Sequence, residues 1–289
     1  MPGIVTVGLD GTDHSLAAAD WAAAEAARRG ARLRLVHAWI WRPLDVPVAA
    51  DEEVQRHWAA GVLREAAARV VENFPDLPVT REILAAETVP ALLAEAAAAD
   101  LLVLGSRGHG TLVGYLLGSV GLHVLRQATT PVVLVRSPRR GEAEQPRDEV
   151  VVGVQDGRES GPVLEFAFAA AAAQGTTLRA VRAWNIPPVL VWGGEAMRAA
   201  DDAGGLEPLE RKRLADAVRP WRERFPQVEV VEHVEMGGAG QVLLAGCARA
   251  RLLVVGRRSP GRHDLRKIGA VAHAALHHAP CPVAVVPHP

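Results

Sequence analysis

The sequence has no excess of charge of either sign. Its 289 residues include 32 lysines and arginines and 33 aspartates and glutamates, which gives a formal net charge of −1 at pH 7. A general nucleic-acid-binding protein needs a broad cationic surface to meet the phosphate backbone. The balance of charges excludes that class of function, and we expect no nucleic-acid partner.

Long apolar runs and cysteines are also scarce. No apolar run reaches the roughly 20 residues that a membrane-spanning helix needs, and the start, Met1-Pro2-Gly3-Ile4, lacks the regions of a secretion signal. Cys247 and Cys281 form neither a CxxC metal motif nor a disulfide framework. We expect a cytoplasmic protein with no membrane partner, in which both cysteines are small buried residues.

What the sequence does contain is an internal duplication. The stretch Val5 to Leu9 returns as Val150 to Val154, and with an offset of 145 the halves match without a gap as far as Trp39 and Trp184. A charged segment broken by Gly and Pro, Arg139 to Arg147, separates the halves. We predict two domains of ordinary size, residues 1–138 and 149–289, joined by a linker at 139–148.

Each half alternates strands with helices. Apolar, β-branched runs bounded by turn residues predict five strands, and Ala-rich or charged segments without internal breaks predict the helices between them. The helices are predicted at 15–29, 51–73 and 89–98, with counterparts at 160–174, 207–224 and 241–250, and Gly30 and Gly175 are predicted to stop the first of each set. The pattern indicates an α/β fold with two tandem doubly wound domains, each a five-stranded parallel sheet flanked by helices.

A glycine-rich segment after the fourth strand of the first half indicates an anion site. Gly105 and Gly108 let backbone N–H groups approach an oxyanion, and Gly118-Ser119-Val120 offers the start of a further helix. The segment lacks the Lys and Ser/Thr ending of a P-loop and does not follow the first strand as a dinucleotide fingerprint does. It therefore predicts a phosphate cradle that belongs to neither class.

Residues at other strand ends complete the predicted site. In a doubly wound sheet a ligand binds outside the carboxyl ends of the strands, where Asp10, Ala38 and Gly105 are all predicted to lie. Asp10 can accept hydrogen bonds from ribose, and Gly8 and Gly11 are expected to leave room for the ligand. Because Asp13 and Ser15 stand nearer to the start of the following helix, we expect Asp10 to be left for the ligand.

The glycine spacing, with Gly8-Leu9-Asp10-Gly11 and Leu35-Val36-His37-Ala38-Trp39, resembles the universal stress protein family over essentially the whole chain. The resemblance implies two tandem domains of the adenine nucleotide α-hydrolase-like fold and an ATP site, with Mg²⁺ as a candidate companion. The residues expected to hold the nucleotide lie in the first half: Gly8, Asp10, Ala38, Gly105, Ser106, Arg107, Gly108, His109, Gly118, Ser119 and Val120.

The second half departs from this pattern. Gln155 stands where the first half has Asp10, Ser259 where it has Gly108, and Ala270 where it has Ser119. Each lost hydrogen bond weakens binding by about 0.5 to 1.5 kcal/mol. We expect nucleotide mainly in the first domain, with secondary candidates in the second half: Gly153, Gly256, Ser259 and Gly269.

The resemblance implies a regulatory, nucleotide-binding stress-response protein, a homodimer that acts on an unidentified partner protein. A ligand-independent dimeric scaffold of the same fold is the alternative.

Slow ATP hydrolysis is the most that we expect of an enzyme, because the sequence offers no nucleophile motif or assigned carboxylate pair. A nucleotidyl transferase is disfavoured because no His-x-Gly-His motif follows the first strand. We also expect no metal site, since cationic histidines near the end of the last helix, His273, His277 and His278, have a simpler helix-dipole explanation.

Overall fold

The computed structural model describes residues 3–40, 52–106, 118–136, 148–155, 160–186, 205–259 and 268–289. The chain divides into two compact units, Met1–Glu142 and Ala143–Pro289. Within the described ranges, no helix combines the length and apolar character needed to cross a membrane.

The described residues of the first unit form five strands and four helices. Its strands are β1 (Ile4–Gly8), β2 (Arg32–Ala38), β3 (Val79–Leu84), β4 (Leu101–Ser106) and β5 (Val132–Arg136). Its helices are α1 (Asp13–Arg29), α2 (Glu52–Asn73), α3 (Thr88–Ala97) and α4 (Ser119–Gln127). The strands follow the order β3-β2-β1-β4-β5, and all four pairings are parallel.

The second unit repeats this architecture. Its strands are β6 (Glu149–Gly153), β7 (Thr177–Trp184), β8 (Val230–Met236), β9 (Ala250–Arg258) and β10 (Val283–His288). Its helices are α5 (Gly161–Gln174), α6 (Glu207–Arg224), α7 (Ala239–Ala245) and α8 (Ala270–His278). The order is β10-β9-β6-β7-β8, again with parallel pairings throughout. The predicted fold class is confirmed.

Buried aliphatic side chains of the inner strands form the core of each unit. Val5 and Val7 of β1 and Leu101 of β4 have at most 1% of their surface exposed, as do Val150 to Val152 of β6. A parallel sheet covered on both faces requires such continuous apolar strands. In the first unit α1 packs against α2, and α3 packs against α4.

Glycines end the first helix of each unit, as predicted. Gly30 and Gly175 both adopt a left-handed conformation with φ of 59°, which costs a residue with a Cβ more than it costs glycine. The N–H of Gly30 bonds back to the carbonyls of Ala26 and Ala27. This arrangement satisfies orphan carbonyls at the helix end and turns the chain into the next strand.

The prediction for the second-unit helix at 241–250 is wrong at both ends. The helix α7 runs from Ala239 to Ala245, and β9 already begins at Ala250. Between them the Cys247 side chain is fully buried and its thiol donates to the Leu243 carbonyl. A tight turn closed by Ala250 N–H to Cys247 C=O replaces the last helical residues. Burial of Cys247 and Cys281, which are 0% and 1% exposed, agrees with expectation.

A partly buried ion pair links two strands of the second unit and yields a test of stability. Both carboxylate oxygens of Glu149 accept hydrogen bonds from Arg179, at 2.6 and 2.9 Å. The hydrogen bond from Arg179 lowers the pKa of Glu149, since it favours the ionised carboxylate. A depressed folded pKa gives stability that is complete above the unfolded value of about 4.3 and is lost as the pH falls through the folded value.

We predict that Glu149→Gln destabilises the second unit by about 1 kcal/mol at pH 7 and that the difference from wild type shrinks on acidification. Thermal unfolding between pH 7 and pH 3 measures this effect. An equal difference at every pH would show that the ion pair does not supply the stability.

Candidate functional site

A cavity of about 200 Å³ opens at the carboxyl edge of the first sheet. The ends of β1, β2 and β4 meet there with the starts of α1, α3 and α4 because every strand of a parallel sheet points the same way. Seven of the predicted residues line it: Gly8, Asp10, Ala38, Gly105, Gly118, Ser119 and Val120.

The start of α4 is the clearest anion-binding feature of this cavity. Gly118 is the N-cap residue and supplies no side-chain cap, and the first intrahelical bond runs from Leu122 N–H to Gly118 C=O. The N–H groups of Ser119, Val120 and Gly121 have no intrahelical acceptor, since the first turn of a helix never provides one. Together with the helix dipole they make a positive end that favours a bound anion.

Gly118 leaves space for a ligand at this helix start. A Cβ atom placed on Gly118 would meet no atom of the described residues within 4 Å, and its φ of −58° is one that any residue adopts. Within the described part of the chain the surroundings are therefore open, and a side chain can be added here without backbone strain. Gly269, the counterpart of Gly118 at the start of α8, has φ of −62° and is equally open.

Asp10 is exposed at the end of β1, and it is not left free as the sequence suggested. Its Oδ1 accepts from the backbone N–H of Thr12 at 3.1 Å and from the Thr12 hydroxyl at 2.6 Å. Thr12 itself caps α1 by accepting from Ser15 N–H. The expectation that Asp13 or Ser15 would hold this end was wrong: Asp10 and Thr12 form one hydrogen-bonded turn that fixes the carboxylate beside the cavity.

The structure gives two of the glycines a different role from the one expected. A Cβ on Gly105 would lie 2.7 Å from the backbone carbonyl group of His14, and a Cβ on Gly8 would lie 2.7 Å from Leu104 and 2.9 Å from Leu92. The space at these positions is taken by the protein itself. Gly105 lets the end of β4 pack directly on the first turn of α1, and this contact sets one wall of the cavity.

The end of β2 forms the opposite wall. Ala38 is half-buried and lines the cavity, and His37 beside it is 5% exposed. The His37 Nδ1 atom lies 2.7 Å from the Leu9 carbonyl oxygen, so Nδ1 carries the proton and donates it. The ring of Trp58 meets the His37 ring edge to face at a centroid distance of 5.4 Å.

The structure places one further predicted residue away from the cavity and does not describe three others. Ser106 is 2% exposed at the end of β4 and is not among the described lining residues. Arg107, Gly108 and His109 lie outside the described residues.

Sequence reasoning overlooked other lining residues, among them Thr12, His14, Ser15, Thr88 and Leu92. Thr88 and Leu92 follow β3, an edge strand whose end also faces the ligand side. The general rule for doubly wound sheets therefore pointed to them.

The second unit has its own cavity at the equivalent edge, with a volume of about 730 Å³. Gly153, Gln155, Gly256, Gly269 and Ala270 line it, whereas Ser259 donates its backbone N–H to His288 and is not among the described lining residues. Two contacts differ from those of the first unit.

The first difference lies at Gly256, the counterpart of Gly105. A Cβ there would meet the His288 side chain at 2.9 Å in place of helix backbone. Ser160 precedes α5, whereas its counterpart Ser15 already belongs to the first turn of α1.

The second difference lies at the end of β7. Arg182 occupies the position of His37 and forms a buried ion pair with Glu210 at 2.6 Å. Both side chains are less than 10% exposed, so this end of the second cavity contains a charged pair where the first has an imidazole packed on Trp58.

Comparisons with known proteins point to the same family for both halves of the chain. The model of the universal stress protein family matches residues 1–136 and 146–287. A universal stress protein of Mycobacterium tuberculosis is 32% identical, with 97% of this chain and 96% of that protein covered. The crystal structure of a universal stress protein from Archaeoglobus fulgidus is 18% identical, has a TM-score of 0.71 and covers 98% of both chains. A universal stress protein solved in complex with cAMP is 33% identical over 45% of this chain, at a TM-score of 0.35.

The contact at Gly105 predicts a steric effect on stability. Gly105→Ala should destabilise the first unit by about 1 to 3 kcal/mol, because its methyl group would overlap the backbone of His14 and Ser15. Urea unfolding followed by circular dichroism and tryptophan fluorescence measures the change. Gly118→Ala is the matched control, since a methyl group there meets no atom within 4 Å among the residues that the structure describes. Equal unfolding of the two variants would contradict the packing role of Gly105.

Proposed function

The chain belongs to the universal stress protein family, and we propose that its first unit binds an adenine nucleotide, ATP, as a regulatory ligand. The observation that carries the proposal is the meeting of three features in one cavity: the uncapped start of α4, the Asp10 carboxylate and the backbone at the end of β2, at Ala38. These are an anion site, a hydroxyl acceptor and a backbone edge. A nucleotide presents phosphate, ribose and base in that sequence.

The start of α4 is proposed to hold the phosphates. Backbone N–H groups at Ser119 and Val120 and the hydroxyl of Ser119 supply donors, and the helix dipole adds a favourable field. No described atom fills the space beside Gly118, so an oxygen can approach the backbone there. Gly108, Arg107 and His109 remain predicted contributors, and Mg²⁺ is expected to accompany the triphosphate without an assigned protein ligand.

Asp10 is proposed to orient the ribose. Its carboxylate is already fixed by two hydrogen bonds from Thr12, so little side-chain entropy remains to be lost when a sugar hydroxyl donates to it. Gly8 contributes indirectly, since its missing Cβ lets Leu104 and Leu92 pack beneath the same strand end. With the ribose at Asp10, the base is proposed to lie next to Ala38.

In this proposal the chain regulates a partner protein according to whether nucleotide is bound to the first unit. The nucleotide-bound unit is proposed to favour a stress-response partner protein in the cytoplasm, with the chain acting as a homodimer. Slow hydrolysis of ATP is compatible with this role, although no residue is assigned to it. In the second unit, Gln155 offers no carboxylate and Ala270 no hydroxyl, so the second cavity is proposed to bind nucleotide more weakly or to serve another purpose.

Substitution at the start of α4 tests the nucleotide proposal. Gly118→Asp should weaken ATP binding at least tenfold, because a carboxylate would occupy the position proposed for phosphate. The fold should not suffer, since Asp is a favourable N-cap residue and the site is open. Isothermal titration calorimetry with ATP measures the affinity, and circular dichroism verifies folding.

Two matched variants control for shape and for location. Gly118→Asn adds a neutral side chain of the same size and should cost far less affinity than Asp. Gly269→Asp makes the same change at the start of α8 and should remove at most the weaker binding. Unchanged ATP affinity in Gly118→Asp would contradict the proposal, and a dominant loss in Gly269→Asp would place the principal site in the second unit.

The ligand-independent scaffold remains the alternative function. It predicts no ATP binding by the purified, ligand-stripped wild type. It also predicts that Gly118→Asp leaves partner recruitment intact, whereas the regulatory proposal predicts that recruitment is lost.

A further inference from the structure

The second cavity lacks polar groups that the first cavity offers to a sugar. The first is lined by one carboxylate and two hydroxyl groups, those of Asp10, Thr88 and Ser119. At the corresponding places the second is lined by Gln155, by Ala239, which begins α7 as Thr88 begins α3, and by Ala270. No aspartate or glutamate is among the described residues that line it. A ribose, whose hydroxyl groups need acceptors and donors, therefore finds fewer partners here.

The second cavity nevertheless keeps an anion-binding end. Gly269 supplies no side-chain cap for α8, and the first intrahelical bond runs from His273 N–H to Gly269 C=O. The N–H groups of residues 270–272, which all line the cavity, therefore have no intrahelical acceptor. Arg258 at the end of β9 adds a positive charge to the lining. Donors and positive charge, with no carboxylate among the described lining residues, favour a bound anion.

A buried imidazole is a second and independent sign of a ligand in this cavity. His288 lines the cavity at the end of β10 and is 8% exposed. Its Nδ1 atom lies 3.0 Å from the backbone oxygen of Pro289, so Nδ1 carries the proton. Among the described residues, no group forms a hydrogen bond with Nε2. A polar side chain this deeply buried is expected to have a partner, and a ligand in the cavity supplies one.

The remaining walls of the second cavity are apolar. Five aliphatic side chains line it, each at most 6% exposed: Val154, Val163, Val181, Leu243 and Val255. The volume of about 730 Å³ falls within the range of roughly 300 to 1,000 Å³ that is typical of sites for small organic molecules. Such sites combine mainly apolar walls with a few polar groups that orient the ligand, which is the composition found here.

We propose that the second cavity binds a monocarboxylic acid with an apolar body, its carboxylate at the start of α8 and its body against the aliphatic walls. Arg182 also lines the cavity, but Glu210 already balances its charge. The described lining therefore suits a single negative charge better than the several charges of a triphosphate. This inference goes beyond the proposed nucleotide function of the first unit and does not depend on it.

Octanoate is the probe for this site, and octanol and acetate are its matched controls. Octanol has the apolar body without the charge, and acetate has the charge without the body. In calorimetric titrations of the full-length protein, octanoate should bind one site per chain at least tenfold more tightly than either control, because it alone uses both parts of the cavity. No binding of octanoate, or equal binding of octanol or acetate, would refute the proposal.

Substitution at the start of α8 tests where the carboxylate lies. Gly269→Asp should weaken octanoate binding at least tenfold by charge repulsion, whereas the neutral Gly269→Asn should retain most of the affinity. Neither should disturb the fold, because no described atom lies within 4 Å of the added Cβ and both residues are favourable N-caps. Circular dichroism verifies folding. Equal octanoate affinities in the two variants would refute an anion at this helix start.

The variant Gly118→Asp separates this site from the nucleotide site. It should bind octanoate as wild type does, with or without ATP at a concentration that saturates the wild-type first unit. Loss of octanoate binding in this variant would place the acid in the first cavity and overturn the proposal. Displacement of octanoate by ATP in this variant would show that the second cavity takes a nucleotide, which would also overturn it. If wild type binds octanoate but not ATP, the proposed nucleotide function fails while this inference stands.

Discussion

The parallel pairing of the strands is the constraint on which the rest of the structure depends. Because the strands of the first sheet run in one direction, their carboxyl ends and the starts of the helices that follow them meet at one edge. The edge therefore collects peptide groups that lie beyond the regular helix and strand bonds: the first N–H groups of α4, and the peptide of Ala38, which lies past the last bond between Leu9 and Val36. A ligand that carries both an anion and a hydrogen-bonding base fits such an edge.

The duplication repeats the scaffold and changes the residues at its functional edge. Both units have the same strand order and the same glycine at the end of the fourth strand. At Gly105 the neighbour is the backbone of α1, whereas at Gly256 it is the side chain of His288. The His37 imidazole is likewise replaced by a buried pair of Arg182 and Glu210. A fold that tolerates such changes can carry one nucleotide site and one diverged cavity, as we propose.

The sequence predicted the elements well because they depend on local patterns. Apolar runs such as Leu101 to Leu104 became strands, and Gly30 ended α1 as its lack of a Cβ suggests. The roles of single residues were harder to predict because they depend on neighbours distant in the chain. The contact of Gly105 with His14 spans about 90 residues, and the bond from His37 to Leu9 joins two strands. The turn between Asp10 and Thr12 is local, and an Asx-turn signal was present in the sequence.

The number of adenine nucleotides bound per chain tests the central claim most directly. The ligand-stripped wild-type protein is saturated with ATP, freed of unbound nucleotide and denatured, and the released nucleotide is counted by mass spectrometry against the protein concentration. One nucleotide per chain is the result that the proposed asymmetry predicts. A value near zero would contradict nucleotide binding, and a value near two would contradict the difference between the two units.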